Sequence, residues 1–357
     1  MMDTTETLRI LEAAQGDPAR LALATIDLIL SERSETERAE VRAALLAAAV
    51  PHWFDERILA ALLDEPLRSR SAGLVASLRE LRFVQALPAR GAEALCVHQT
   101  NRQTLRAWWL ATDAEKALET SRRAMRCFAA AGDEPHLQIE ALYHRFTVEP
   151  DAAVDACWAL ADRWMKAGQT ESRLALACVL EELTGMLPPG LARAYALLES
   201  AASRFERQDL SHTLARVEEA LVEAASAGKD WVLSEAHLLR GNVRREQGQL
   251  DEALEDYRRA YALAQGLSER ESGNPRWRRE LAIFSYKMGG VWEVLGNLDQ
   301  ALSAYRESHG RWAALVAEQP KDTDLLHGLA AAHSYVGSGC YAQGRFPEAL
   351  AEFQKYG

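Results

Sequence analysis

The chain has 357 residues, of which 48% are hydrophobic and 26% are charged, a composition that is ordinary for a globular protein with two or three domains. Its formal net charge of −11 excludes a protein whose whole surface coats nucleic acid or an anionic membrane. No apolar stretch approaches the roughly 20 residues of a membrane-spanning helix, so we expect no membrane partner.

The five cysteines include no C-x-x-C pair, which is typical of reduced thiols in a cytoplasmic protein. The acidic start of the chain lacks the features of a signal peptide, which also favours a cytoplasmic location. The histidines show no metal-ligand spacing. We therefore expect neither a metal nor a cofactor.

The first elements are helical. Residues 1–35 are predicted to form N-terminal helices that break at the Gly-Asp-Pro of residues 16–18. Residues 34–50 follow as a helix, because Ser34 and Glu37 have the spacing of a capping box.

A small domain with one β-hairpin is predicted next. Helices are expected at residues 53–63 and 71–81, and two alternating apolar runs then flank Pro-Ala-Arg-Gly at residues 88–91, a strong β-hairpin signal. A further helix is predicted from about Asn101. Three helices followed by a hairpin is the order of a winged helix, which we expect over residues 36–112.

The same region is locally basic, and this raises a hypothesis about DNA. Seven arginines stand against four acidic residues within residues 64–110. In one interpretation the chain is a transcriptional regulator, in which Arg79, Arg82 and Arg90 contact phosphates and the helical repeats act as a sensor. In the other interpretation, arginine is simply abundant in the chain, and the winged helix serves as a packing module without binding DNA. A local net charge of +3, seven minus four, is weak for a DNA reader, and a nucleic-acid partner is not expected.

Residues 113–230 are predicted to be helical without a clean period. Two segments, residues 113–133 and 210–230, each end at a glycine after a periodic apolar face. Leu-Pro-Pro-Gly at residues 187–190 is the sharpest break in this part of the chain. The pattern indicates degenerate helical-hairpin repeats.

The remaining stretch, residues 231–357, repeats itself three times with a period of 48 residues. A fixed period in this range predicts a solenoid of stacked helical hairpins. In each repeat one glycine can end a helix in the left-handed conformation, and the other small residues let two helices approach closely. The equivalent positions are Gly241, Gly289 and Gly337; Gly248, Gly296 and Gly344; Ala253, Ala301 and Ala349; and Tyr257, Tyr305 and Phe353.

The spacing of Gly241, Ala253, Tyr257 and Ala260 resembles the tetratricopeptide repeat, with its small residues and one aromatic residue at fixed positions. The period is longer than the usual 34 residues, as if each helix had extra turns. The resemblance implies an all-α fold: a right-handed superhelix of helical hairpins, preceded here by the small winged-helix-like domain with one β-hairpin.

A wider resemblance concerns the biological setting. Residues 81–109 are similar to the winged-helix segment that follows the nucleotide-binding core in STAND proteins, and the long repeats resemble the arrays of such signalling ATPases or of proteins that accompany caspase-like proteases. The ATPase core itself is absent, because the chain has no G-x-x-x-x-G-K-[ST] motif. The resemblance implies a bacterial signalling or defence system.

We found no motif of a hydrolase, metalloprotease or dinucleotide enzyme in the sequence. The chain is therefore predicted to be a non-enzymatic scaffold or regulatory subunit. Its expected partner is a protein or peptide held in the concave groove of the repeats, and an effector such as a caspase-like protease is one candidate.

The first helix of each repeat is expected to line that groove. Asn242 stands at one position of the carboxylate clamp found in some tetratricopeptide proteins, but Leu238 and Leu239 occupy positions where a polar residue is expected. We therefore predict a mixed aromatic and polar groove that suits a helix or an extended peptide; the alternative is that these residues only contact the neighbouring helix. The candidate residues are Asn242, Arg245, Tyr286, Lys287, Glu293, Tyr335, Ser338 and Tyr341.

The last repeat ends inside its second predicted helix, without the polar capping helix that solenoids usually have. This pattern leaves two expectations open. The natural chain is longer, or the uncapped repeat supports self-association or docks on another subunit.

Overall fold

The computed structural model of the chain describes residues 16–356, which form seventeen α-helices and one two-stranded β-sheet. The helix predicted before Gly16 lies outside the described residues. The chain divides into two compact units, and the boundary between them lies between Val179 and Leu180.

The first unit contains short helices, a β-hairpin and then longer helices. Its elements are α1 (Pro18–Ile29), α2 (Glu35–Ala48), α3 (Glu56–Leu62), α4 (Ser71–Arg79), β1 (Val84–Ala86), β2 (Leu95–Val97), α5 (Gln99–Thr112), α6 (Ala114–Ala131), α7 (Pro135–Val148) and α8 (Pro150–Lys166). Helix α9 (Thr170–Thr184) runs across the boundary between the units.

Side-chain caps set where the early helices begin. The predicted capping box of α2 is confirmed: the Glu37 backbone N–H donates to Ser34 Oγ, and the Glu37 carboxylate accepts from the Ser34 N–H at 2.8 Å. The helix predicted from residue 53 begins later, at Glu56, because Asp55 accepts a hydrogen bond from the Ile58 N–H at 2.7 Å and acts as the N-cap.

The predicted β-hairpin is confirmed. Strands β1 and β2 pair antiparallel, with Val84 opposite Val97, and Phe54 bridges to Leu95 through two backbone hydrogen bonds of 2.7 and 2.8 Å. Helices α2, α3 and α4 come before the hairpin along the chain. The assignment of residues 36–112 as a winged-helix domain remains a prediction.

The second unit is a series of helical hairpins. Its helices after α9 are α10 (Leu191–Glu206), α11 (Leu210–Ala227), α12 (Asp230–Glu246), α13 (Leu250–Arg270), α14 (Pro275–Val294), α15 (Leu298–Glu318), α16 (Thr323–Ala342) and α17 (Phe346–Tyr356). We call α12–α13 hairpin 1, α14–α15 hairpin 2 and α16–α17 hairpin 3. Each hairpin contains one set of the residues that recur every 48 positions.

Two sets of glycines explain the repeat. Gly248, Gly296 and Gly344 follow the first helix of each hairpin with φ angles of +77°, +78° and +74°, a conformation that glycine adopts without steric cost. Gly241, Gly289 and Gly337 instead sit against the aromatic residue of the second helix, where a Cβ atom would approach ring carbons to 2.6 Å or less. The close approach predicted from the small residues is therefore confirmed.

The all-α, tetratricopeptide-like solenoid predicted from the sequence is the observed architecture of hairpins 1 to 3. Tyr257 and Tyr305 are buried between the helices of hairpins 1 and 2. Successive hairpins also share their cores: Leu302 of hairpin 2 packs with Val336 and Cys340 of hairpin 3. This packing places α12, α14 and α16, the first helices, in sequence along one face of the unit.

Candidate partner-binding face

The surface that α12, α14 and α16 present carries most of the predicted partner-binding residues, and we call it the first-helix face. It is defined by Asn242, Arg245, Tyr286, Lys287, Glu293 and Tyr335. All six side chains are half-buried, neither sealed in the core nor fully exposed. Such side chains remain accessible to a ligand while their surroundings hold them in place.

Stacked tyrosines form the centre of this face. The rings of Tyr286 and Tyr335, on the first helices of hairpins 2 and 3, lie parallel with centroids 4.8 Å apart and planes 4° apart. Tyr305, from the second helix of hairpin 2, stacks on Tyr335 at 5.7 Å. Aromatic pairs of this kind stabilise by about 0.5–1.5 kcal/mol beyond their buried area, so the stack is a rigid, flat apolar surface.

Two of the predicted polar residues accept hydrogen bonds from buried tyrosines of their own hairpins. The Tyr257 hydroxyl donates to Asn242 Oδ1 at 3.0 Å, and the Tyr305 hydroxyl donates to Glu293 Oε2 at 2.6 Å. Burial raises the pKa of both tyrosines, and for Tyr305 the carboxylate of Glu293 adds to the effect. Asn242 and Glu293 therefore anchor the buried tyrosines, in agreement with the alternative that part of this face serves packing.

The cations Arg245 and Lys287 lie beside the stack. Arg245 pairs with Glu246 at 2.8 Å, and Lys287 Nζ lies 5.5 Å from the centroid of the Tyr286 ring. In the part of the chain that the structure describes, no carboxylate forms an ion pair with Lys287. Burial, and secondly the nearby Arg245, lower the pKa of Lys287 to about 8. Glu246, the partner of Arg245, acts in the opposite direction and raises the pKa of Lys287, so the positive charge of Lys287 is only partly compensated.

A group of charged residues that no sequence pattern had indicated extends the face towards the start of α12 and α14. Arg276 forms an ion pair with Glu235 and lies 5.1 Å from the ring centroid of Trp231. Burial, and secondly the charge of Glu235, raise the pKa of Glu280 to about 7. Glu280 and Lys287 are seven residues apart on α14, which puts them on the same side of the helix. This spacing is the signal that would have revealed Glu280.

The last two predicted residues lie outside the stack. Ser338 is half-buried on α16. Tyr341 is 62% exposed, and its ring packs edge-on against Phe346 of α17 with centroids 5.4 Å apart. Tyr341 therefore belongs to a separate apolar surface, together with Phe346, Leu350 and Phe353, which are 58%, 60% and 39% exposed.

The arginines of the first unit offer little free charge for nucleic acid. Arg79 forms an ion pair with Glu93 at 2.6 Å, whereas Arg82 and Arg90 are exposed. Two arginines counted in the basic region, Arg102 and Arg106, are buried against the ring of Tyr143. The local positive charge is thus partly used in packing, and the DNA-binding alternative gains no supporting contact.

Comparison with known proteins agrees with the repeat. Residues 234–267 match the family model of the tetratricopeptide repeat, a segment that includes Gly241, Ala253, Tyr257 and Ala260. No curated protein matches the chain in sequence. In the described part of the chain, every helix is too short or too polar to cross a membrane.

Three solved structures resemble the chain at low sequence identity. BtubC from P. vanneervenii is 13% identical over 69% of this chain and 90% of its own, with a TM-score of 0.46. A STAND protein with a tetratricopeptide repeat sensor from Pyrococcus horikoshii is 12% identical over 99% of this chain and 57% of its own, with a TM-score of 0.44. MamA is 17% identical over 55% of this chain and 91% of its own, with a TM-score of 0.37.

Proposed function

We propose that the chain is a non-enzymatic scaffold or regulatory subunit that binds a peptide segment of a protein partner on its first-helix face. The observation that carries this proposal is the stacked pair Tyr286–Tyr335 with Lys287, a cation that forms no ion pair within the described residues, beside it. Binding hot spots are enriched in aromatic and arginine side chains held in a partly desolvated setting. Stacked helical hairpins of this type commonly present such surfaces to other proteins.

The chemistry of the face specifies the peptide. A flat tyrosine stack suits an aliphatic or aromatic side chain, and Lys287 with Arg245 suits a carboxylate next to it. Leu238 is partly buried against the core of hairpin 1 and supplies no polar group. The proposed ligand is therefore a helix or an extended segment with one apolar anchor and one acidic residue close by.

The wider setting is proposed from the family resemblance alone. Long tetratricopeptide arrays of this kind suggest a signalling or defence system, in which the partner is an effector such as a caspase-like protease. The peptide chemistry proposed for the first-helix face does not depend on that identification.

A peptide-display selection on the purified full-length chain tests the proposal. Selected peptides are synthesised, and their affinities are measured by fluorescence anisotropy against the wild type and three variants: Tyr335→Ala, Lys287→Met and Arg245→Gln. We expect each variant to weaken binding at least about tenfold. Lys287→Met and Arg245→Gln each remove a charged hydrogen bond, which typically costs about 1.5–3 kcal/mol, and Tyr335→Ala removes an aromatic hot spot, which typically costs about 2 kcal/mol or more. Peptides with an acidic residue beside an apolar one should dominate the selection.

The matched control is Arg259→Gln on α13, because Arg259 is exposed and pairs with Glu255 on its own helix. It removes one positive charge without touching the first-helix face. Peptides that bind all three variants as tightly as the wild type would place the binding surface elsewhere and refute the proposal.

We also propose that the apolar surface of hairpin 3 is a second contact, which receives a helix from a continuation of the chain, from another subunit or from another copy of the chain. Leu350 is 60% exposed, whereas Leu254 and Leu302, at the equivalent positions of hairpins 1 and 2, are each 3% exposed. Those two leucines are covered by the first helix of the following hairpin. A surface shaped to receive a helix is thus present in hairpin 3, and exposed apolar surfaces of this kind are typical of interaction sites.

A further inference from the structure

Three potential metal ligands meet where hairpins 2 and 3 pack together. His309 comes from α15, His333 from α16 and Glu352 from α17. Their ligand atoms all lie within 4.8 Å of one another, and all three side chains are half-buried. The two Nε2 atoms of His309 and His333 face each other at 3.3 Å, and His333 Nδ1 lies 2.7 Å from Glu352 Oε2.

The repeat itself shows that this cluster is not a requirement of packing. At the equivalent positions one repeat earlier, where hairpins 1 and 2 pack together, the chain has Tyr261, Ser285 and Ala304. None of those three residues carries an imidazole or a carboxylate, although the helices pack in the same way. The two histidines and the glutamate are thus specific to the contact between hairpins 2 and 3.

Hairpin 1 contains a related histidine–carboxylate pair, but its carboxylate has different additional partners. His237 and Asp256 occupy the positions of His333 and Glu352, with Nδ1 and Oδ1 2.9 Å apart. There the buried Asp256 also accepts hydrogen bonds from Arg240 and Arg244. In hairpin 3 the positions of these two arginines hold apolar Val336 and Cys340. The histidine–carboxylate pair of hairpin 3 instead faces a second histidine.

The distance of 3.3 Å between the two Nε2 atoms matches the separation of two nitrogens bound to one zinc ion. Zinc binds imidazole nitrogen at about 2.0–2.1 Å in tetrahedral geometry, which separates two such nitrogens by about 3.3 Å. A histidine that binds a metal through one nitrogen typically donates its other N–H to a carboxylate, which fixes the tautomer. Glu352 is placed to accept that hydrogen bond from His333 Nδ1.

We propose that His309 and His333 bind a zinc ion through their Nε2 atoms, with Glu352 as the positioning carboxylate of His333. The ion would connect the second helix of hairpin 2 with the first helix of hairpin 3. Because the three side chains remain partly accessible, water or a side chain of a bound protein completes the coordination. This site is independent of the proposed peptide surface on the first-helix face.

Zinc titration of the full-length chain tests the proposal. The protein is first dialysed against a chelator under reducing conditions, and ZnCl2 binding is followed by calorimetry and by the melting temperature. We expect one saturable site and a rise in melting temperature, since an ion that binds only the folded state stabilises it. His309→Gln and His333→Gln should each weaken this site at least about 100-fold, and Glu352→Gln about 10–100-fold.

Two controls distinguish this zinc site from adventitious zinc binding elsewhere on the chain. His237→Gln changes the matching histidine of hairpin 1, and it should leave the zinc affinity unchanged. Co2+ in place of zinc gives a visible absorption band that reports the ligand field, and Glu352→Gln should alter this band, which a merely structural role would not do. Absence of a saturable site at 100-micromolar ZnCl2 concentrations, or equal zinc binding by the double variant His309→Gln/His333→Gln, would overturn the proposal.

Discussion

A Cβ atom on Gly289 would lie 2.5 Å from Cε1 of Tyr305, a distance that real Cβ atoms essentially never show. Gly289 is on the first helix of hairpin 2, and Tyr305 is on the second, where it is 3% exposed. The missing side chain is therefore what lets the tyrosine ring fill the space between the two helices. The same contact joins Gly241 with Tyr257 and Gly337 with Phe353.

We predict that Gly289→Leu lowers the free energy of unfolding by about 1–3 kcal/mol, because overpacking forces the helices of hairpin 2 apart. The neighbouring residue Gly290 provides a matched control. A Cβ atom there would meet only the Tyr305 hydroxyl, at 3.8 Å, so Gly290→Ala should be neutral or stabilise by about 0.5–1 kcal/mol. Thermal and urea unfolding of both variants measures the difference, and equal stability of Gly289→Leu and the wild type would contradict the assigned packing.

The repeat could be predicted from the sequence because close helix packing restricts residue choice strongly. Only glycine fits beside Tyr257 or Tyr305, and glycine is favoured at the left-handed residues Gly248 and Gly296. These constraints recur in every hairpin, so they are visible as a period. The β-hairpin was also predictable, because its alternating apolar residues and the turn at residues 88–91 are local features.

The chemistry of the side chains was less predictable, since it depends on contacts between distant residues. The sequence places Asn242 and Glu293 in the first helices, but it does not show that tyrosine hydroxyls donate hydrogen bonds to both side chains. His309 and His333 are 24 residues apart, much farther than the short spacings between histidines in zinc motifs such as H-x3–5-H. No metal was therefore expected from the sequence, and the cluster with Glu352 emerges only from the packing of three helices.

We predict that Leu350→Lys reduces self-association through the apolar surface of hairpin 3, because it places a charge where a second copy is proposed to pack. The control is Val222→Lys, which introduces the same charge at a side chain that is 72% exposed on α11. Sedimentation velocity at several protein concentrations measures the result. A wild-type chain that stays monomeric at every concentration would contradict a contact between two copies.

The stability of the second unit should depend on the ionisation of Glu280. Burial and the nearby Glu235 raise its pKa to about 7 from an ordinary value of 4.5, so the folded chain binds a proton more tightly than the unfolded chain. The resulting contribution is fully present below about pH 4.5 and is lost as the pH rises through about 7. Each pH unit in this window changes the free energy of unfolding by at most about 1.4 kcal/mol.

Glu280→Gln should remove that dependence, because glutamine does not titrate. We expect the variant to gain stability relative to the wild type as the pH rises from 4.5 to 7, in urea unfolding series at matched ionic strength. Glu255→Gln is the control, because Glu255 is exposed on α13 and pairs with Arg259. Parallel stability curves for Glu280→Gln and the wild type would show that Glu280 is not desolvated.

We predict that removing the charge of Lys287 stabilises the folded chain but weakens peptide binding to the first-helix face. Burial and Arg245 lower its pKa to about 8, so at pH 7 the folded chain holds a charge that costs free energy. Lys287→Met is therefore expected to raise the free energy of unfolding by about 1–3 kcal/mol at pH 7. The gain should shrink between pH 8 and 10.5, because the wild-type lysine then loses its proton in the folded state first.

The Lys287→Met variant should also bind acidic peptides about tenfold more weakly. Melting curves and peptide anisotropy on one preparation measure both effects, and a variant that is less stable than the wild type at pH 7 would show that Lys287 has a carboxylate partner in solution.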